Sequence, residues 1–205
     1  SNVSNIENYG FGRYSSDDAY LDLLSYLAPY HSVVKAAGNE RGNSGVLPVI
    51  TFTTVNGVTY SFDEYSTPVP EVDGGSDGFD CLPSSSTAKN AFIIGACNSI
   101  GSGYAVPGDV VLIGSSAFGP TDDGRLKPDF IAPGADGTSH STPNTSGAIL
   151  LLQQISESVN GGPLRSSTIK ALLAQTAFEA GNAGPDYKNG WGLINQNQSV
   201  LIPFE

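Results

Sequence analysis

The sequence predicts an α/β domain built on a largely parallel sheet. Short β-branched, apolar runs at residues 32–37 (SVVKAA), 91–97 (AFIIGAC) and 109–113 (DVVLI) read as strands. They alternate along the chain with segments of helical periodicity. Strands that lack polar alternation are those covered on both faces, and strand–helix alternation favours parallel pairing. With 205 residues, 39% of them hydrophobic, the chain is long enough to bury a sizeable core.

The elements follow in order. Residues 18–27 (DAYLDLLSYL) set Leu21, Leu24 and Leu27 at helical spacing, with Ser16 or Asp17 as the cap. The run at 32–37 ends at Gly38 and reads as a buried strand. Residues 51–62 (TFTTVNGVTYSF) alternate around Asn56-Gly57, the dipeptide of a tight hairpin. Residues 73–80 (DGGSDGFD) are loop, and strands are expected at 91–97 and 109–113. Helices are expected over 143–155 and 165–178, the second with Ile169, Leu172, Leu173 and Ala177 on one face. There is no internal repeat and no low-complexity segment.

Composition narrows the function. Twenty acidic and nine basic residues give a net charge of −11, which repels phosphate backbones and anionic lipid surfaces. Nucleic-acid and membrane partners are therefore not expected. The longest apolar run, 148–152, is far too short to span a bilayer, and residues 1–10 have neither the basic start nor the apolar stretch of a secretion signal. Cys81 and Cys97 are compatible with one disulfide or with two buried thiols. With only His31 and His140 besides, no Cys/His set for structural zinc exists.

Residues 137–147 (GTSHSTPNTSG) carry the most chemistry. Gly137 frees the backbone to turn, and Thr138 and Ser139 lie where a helix begins. Pro143, read as first-turn, has no intrahelical partner to lose there. Ser139 is then held at a helix N-terminus, where unpaired amides and the dipole stabilise an oxyanion. The small residues Ser146, Gly147 and Ala148, followed by apolar 149–152, describe a buried helix with a hydroxyl at its tip. Two readings stand at this point, a nucleophile and a mere helix cap. GTSHS lacks the second glycine of G-x-S-x-G, so the segment is not an α/β-hydrolase elbow.

Gly137-Thr138-Ser139, with Pro143 and Ser146-Gly147, resembles the nucleophile signature of the subtilases. Three further stretches resemble the same family in the same order. Residues 33–40 (VVKAAGNE) resemble the strand and turn whose asparagine completes the oxyanion hole. Residues 119–134 (GPTDDGRLKPDFIAPG) resemble the segment leading to the serine, and 184–195 (GPDYKNGWGLIN) the closing segment. The resemblance implies a doubly wound sheet with helices on both faces, and a serine endopeptidase acting on polypeptides by an Asp-His-Ser triad. It implies Ser139 as nucleophile and Asn39 as oxyanion donor. One such donor is worth about 3 kcal/mol of transition-state stabilisation, a figure that comes from this family rather than from this chain.

The resemblance also sets residues 1–205 as the C-terminal part of one catalytic domain. The triad Asp and His would lie outside the chain, on its N-terminal half, as a cleaved companion or an upstream segment. His31 reads as a loop residue. His140 follows Ser139 directly, and adjacent helical residues do not face each other. A catalytically inactive binding or structural module on the same fold is the alternative. Secretion is expected from the family. Asp73, Asp77 and Asp80 are the candidate calcium ligands, although their spacing is not an EF-hand loop. Asp122, Asp123 and Arg125 are expected to form a turn with local ion pairs. Only two residues separate the Gly134 and Gly137 elements, where subtilases carry a loop, and residues 5–10 look similarly compressed. A segment missing between 134 and 137 is the expectation.

Overall fold

A computed structural model describes residues 10–41, 51–53, 59–61 and 78–201. The elements are α1 (Ser16–Leu27), β1 (Val34–Ala36), β2 (Thr51–Thr53), β3 (Thr59–Ser61), β4 (Phe92–Cys97), β5 (Phe130–Pro133), α2 (Thr138–Asn160), α3 (Ser166–Thr176) and α4 (Gln196–Leu201). Three strands form a parallel sheet in the order β1-β4-β5. Val34 pairs with Phe92, and Ile94 with Phe130. β2 and β3 form the expected antiparallel hairpin, with Thr53 opposite Thr59. Its tip, with Asn56-Gly57, lies outside the described residues, as does most of the 5–10 stretch.

β4 is the centre of the molecule, buried along its whole length. Because side chains alternate across a strand, it feeds two cores. Phe92 and Ile94 pack with Phe130 and with Ile149, Leu152, Ile169 and Leu173 of α2 and α3. Ile93 packs on the other face with Ala37, Leu82 and Ala117, against Leu21 of α1. Helices thus cover both faces of a parallel sheet, as the sequence predicts.

Two local expectations need correction, and one open alternative is decided. α1 is capped by Ser15, not by Ser16 or Asp17: the Ser15 N–H donates to Asp18 Oδ2 at 2.8 Å while Asp18 N–H donates to Ser15 Oγ. The buried Asp18 carboxylate also accepts from the Thr87 N–H at 2.9 Å. Burial opposes its ionisation, but the Ser15 and Thr87 donors outweigh it and hold its pKa below the ordinary carboxylate value. Residues 109–113 are not a strand. The Asp109 carboxylate takes the Ala105 and Val106 N–H groups at 2.8 and 2.9 Å, curling the Pro107–Asp109 segment into a 3₁₀ turn. Only a single bridge, Leu112 to Cys97, follows it. The cysteines are separate buried thiols whose pKa burial pushes up to about 11.

α2 is also longer and less enclosed than expected. It buries Ala148, Ile149, Leu152 and Ser156, whereas Leu150 and Leu151 on its other side are exposed. α1 likewise turns Tyr20, Leu23, Leu24 and Leu27 outward, an apolar stripe at i, i+3, i+4 and i+7. β1 sits at the edge of the described three-stranded sheet and is only partly buried.

A charged cluster absent from the sequence reading ties the sheet to α3. Asp129 Oδ2 accepts from the Ile93 N–H and from Lys127 Nζ, both at 2.7 Å, and Oδ1 accepts from Lys170 Nζ at 2.8 Å. Lys170 also donates to the Ala91 carbonyl at 2.9 Å. Desolvation pushes the Lys127 pKa down to about 8, against the opposing pull of Asp129.

Candidate active site

Parallel strands deliver their turns to one edge of the sheet, and the site lies there. β1 leaves the sheet through Ala37-Gly38-Asn39. β5 leaves through residues 134–137, where the Gly137 N–H donates to the Gly134 carbonyl at 3.1 Å and closes a turn. The Gly134 N–H in turn donates to the carbonyl of Cys97 at the end of β4, at 2.9 Å. Where a longer loop is expected, this turn joins β5 directly to α2. Two residues suffice since α2 begins directly over the end of β5. Asn144 Nδ2 reaches the Pro133 carbonyl at 2.8 Å, and a Cβ on Gly134 would meet the Ser141 nitrogen at 2.8 Å.

α2 starts at Thr138, with Gly137 as N-cap and Ser139 as the second helical residue. Pro143 is the sixth residue, inside the helix rather than in its first turn. It cannot supply the N–H that would bond the Ser139 carbonyl, so the turn bearing Ser139 lacks one helical bond. Side chains reinforce that turn: the Ser141 and Thr142 hydroxyls both donate to the Thr138 carbonyl, at 2.9 and 2.7 Å.

Asn39 and the first turn of α2 meet directly. Asn39 Oδ1 accepts from the Thr138 N–H at 2.9 Å and from Thr138 Oγ1 at 3.1 Å. Thr138 Oγ1 accepts from the Gly38 N–H at 3.2 Å. Gly137 lies under the carboxamide with φ 148°, and a Cβ there would sit 3.2 Å from Asn39 Oδ1. Thr138 is buried, while Asn39, Ser139 and His140 are exposed. The structure thus brings Asn39 and Ser139 to one surface at the C-terminal edge of the sheet. Among the described residues, the Ser139 N–H and Asn39 Nδ2 have no protein partner. Two unpaired donors beside an exposed hydroxyl suit the anion that forms when a hydroxyl adds to a carbonyl.

The remaining candidates lie apart from this arrangement. His31 is in the turn before β1, its N–H bonded to the Ala28 carbonyl, at the opposite edge of the sheet. His140 follows Ser139 on the helix. Asp123 pairs with Arg125 Nε at 2.8 Å inside a turn closed by the Gly124 N–H and the Thr121 carbonyl, as expected. Asp73 and Asp77 lie outside the described residues, and Asp80 is described with φ 51°. Among the described residues no three Asp, Glu, His or Cys side chains gather as metal ligands.

Comparison with known proteins decides the family. The sequence profile of the subtilase family matches residues 4–192. The chain belongs to the subtilase family. Among curated relatives, the serine protease/ABC transporter B family protein tagD of Dictyostelium discoideum is 29% identical over 167 residues, covering 65% of this chain and 9% of that protein. Among solved structures, the protease CspB of Clostridium perfringens superposes with a TM-score of 0.62 at 15% identity, covering 95% of this chain and 63% of that one. The patellamide maturation protease PatA superposes with a TM-score of 0.56 at 19% identity, covering 93% and 57%. The fold is that of subtilisin-like proteases, and this subtilase chain spans less than two thirds of each of these relatives.

Sequence reasoning singles out Ser139 and Asn39 as candidates but does not anticipate how they are joined. Thr138 makes the connection, and the available signal was a hydroxyl at the first helical position, where free N–H groups seek acceptors.

Proposed function

We propose that this chain is the C-terminal part of a serine endopeptidase domain in which Ser139 is the nucleophile. The observation that carries the reading is the junction of Asn39 with the first turn of α2. It sets an amide side chain, a backbone N–H and an exposed hydroxyl on one surface. Ser139 Oγ attacks the scissile carbonyl of a polypeptide, and its proton passes to a histidine supplied from outside residues 1–205. The carbonyl oxygen becomes an oxyanion that accepts from the Ser139 N–H and from Asn39 Nδ2. The intermediate collapses by breaking the C–N bond, and the histidine returns the proton to the leaving amine. Water then releases the acyl group from Ser139 by the same route.

Three features support completion of the domain from elsewhere. β1 is an edge strand of the described sheet, and among the described residues apolar side chains of α1 and of the outer side of α2 stand exposed. Neither histidine of the chain is placed as a base for Ser139. A hydroxyl without a base is a weak nucleophile, so the isolated chain is expected to be inactive. Secretion of the enzyme is proposed from its family alone. The test is peptide hydrolysis by the complete protein: Ser139→Ala abolishes turnover with an unchanged melting temperature. Wild-type turnover in that variant would assign the nucleophile elsewhere, and an inactive wild type would favour a binding module.

A further inference from the structure

A cleft of about 500 Å³ opens between the end of α1, the approach to β4 and the start of α3. Ser139 lies at the edge where the strands end, whereas this cleft lies where they begin. The six residues of β4 separate the two edges by about 20 Å.

The lining is basic in an acidic protein. The chain has nine basic residues against twenty acidic ones, yet Lys89, Arg165 and Lys170 line the cleft and no acidic side chain does. Lys127 and Lys170 share the single carboxylate of Asp129, so two ammonium groups and one carboxylate leave a positive charge beside the cleft. Lys170 Nζ spends its protons on Asp129 and on the Lys89 and Ala91 carbonyls, and it adds field rather than a bond. Lys89 Nζ rests 4.6 Å over the Tyr14 ring. Arg165 differs: among the described residues its guanidinium has no hydrogen bond, ion pair or ring partner.

Two further donors stand beside that guanidinium. Ser166 is only 8% exposed and lines the cleft, and its hydroxyl has no partner among the described residues. Hydroxyls at such buried places are normally bonded, so an unpaired one points to something that binds it. The Ser166 N–H is taken by the Pro29 carbonyl at 2.8 Å, which leaves the Ser167 N–H as the free amide of the first turn. Arg165 is the N-cap of α3 and offers that amide no side-chain acceptor. Guanidinium, hydroxyl and amide thus meet at the positive end of the α3 dipole.

We propose that this cleft binds a phosphate group, held by the Arg165 guanidinium, the Ser166 hydroxyl and the Ser167 N–H. Three donors of different kinds match a group with three acceptor oxygens better than a carboxylate with two. The exposed Tyr26 ring also lines the cleft. Inorganic phosphate and a phosphate ester share the recognised chemistry, and the ester alone would use that ring. The site involves neither Ser139 nor Asn39, so it stands apart from the peptidase reading.

The test is titration calorimetry of the complete protein that carries this chain, with sodium phosphate and with phenyl phosphate at fixed ionic strength. Wild type binds phosphate saturably, with a Kd of about 1 mM or tighter. Arg165→Ala weakens binding at least about tenfold, the effect of losing a charge-assisted bond, and Ser166→Ala about threefold or more. Arg165 is exposed, so its variant decides the question even if Ser166→Ala does not fold. Tighter binding of phenyl phosphate than of inorganic phosphate assigns an ester whose ring meets Tyr26, and equal affinity assigns the free ion. No saturable binding of either probe, or binding that survives the Arg165→Ala substitution, would overturn the proposal. Sodium acetate binding as tightly as phosphate would overturn it too, because the cleft would then select charge and not the phosphate group.

Discussion

The Thr138 N–H donates to Asn39 Oδ1 at 2.9 Å, joining two residues 99 positions apart. The bond links the turn after β1 to the first residue of α2, so the edge strand and the serine-bearing helix share one rigid corner. Gly137 makes the approach possible. Its φ of 148° is one that side-chain-bearing residues rarely adopt, and its Cα faces the Asn39 carboxamide.

Gly137→Ala is therefore expected to do two things at once. The backbone strain destabilises the fold by about 1–3 kcal/mol, and the methyl group, 3.2 Å from Oδ1, pushes Asn39 off Thr138. Denaturant unfolding reads the first effect and kcat the second. A variant with wild-type stability and rate would show that the corner tolerates a side chain and is not under constraint.

The Lys127–Asp129–Lys170 cluster predicts a pH dependence. Burial lowers the Lys127 pKa to about 8 in the folded protein, below the ordinary lysine value of 10.5. Between those values the unfolded chain binds more protons, so stability contributed by this group rises with pH across the window. Subtracting the profile of Lys127→Met from that of wild type should isolate an increase from pH 8 to 10. The opposite slope would mean that Asp129 overrides desolvation and raises the lysine pKa.

The uncovered stripe of α1 gives a third expectation. Leu23 is 51% and Leu27 69% exposed, so Leu23→Asp and Leu27→Asp should change the stability of the isolated chain by less than about 0.5 kcal/mol. In the complete protein the same substitutions should cost several times more, because the stripe is then buried. Equal, small effects in both contexts would leave α1 a solvent-facing helix and remove one support for a completing segment.

These residues also separate what could be read in the sequence from what could not. The central strand was legible because β4 has no polar residue to alternate, and α3 because its apolar residues keep one face. The starts of α1 and α2 lie two and five residues ahead of the predicted ones, since cap geometry depends on partners that pattern does not encode. Asp109 illustrates the same limit: DVVLI has strand composition, yet a carboxylate bonded to two nearby N–H groups decides the conformation. Asp129 is hydrogen-bonded to a strand 36 positions away, a relation no local window contains. Ser139 and Asn39 are candidates through family motifs. Local physics alone left Ser139 divided between nucleophile and cap.

The most direct measurement is active-site labelling of the complete protein with a serine-directed phosphonate, followed by peptide mass mapping. The account predicts one adduct, on Ser139, formed faster than on free serine and absent from Ser139→Ala. An adduct on another residue, or none in a protein that still hydrolyses peptides, would contradict it.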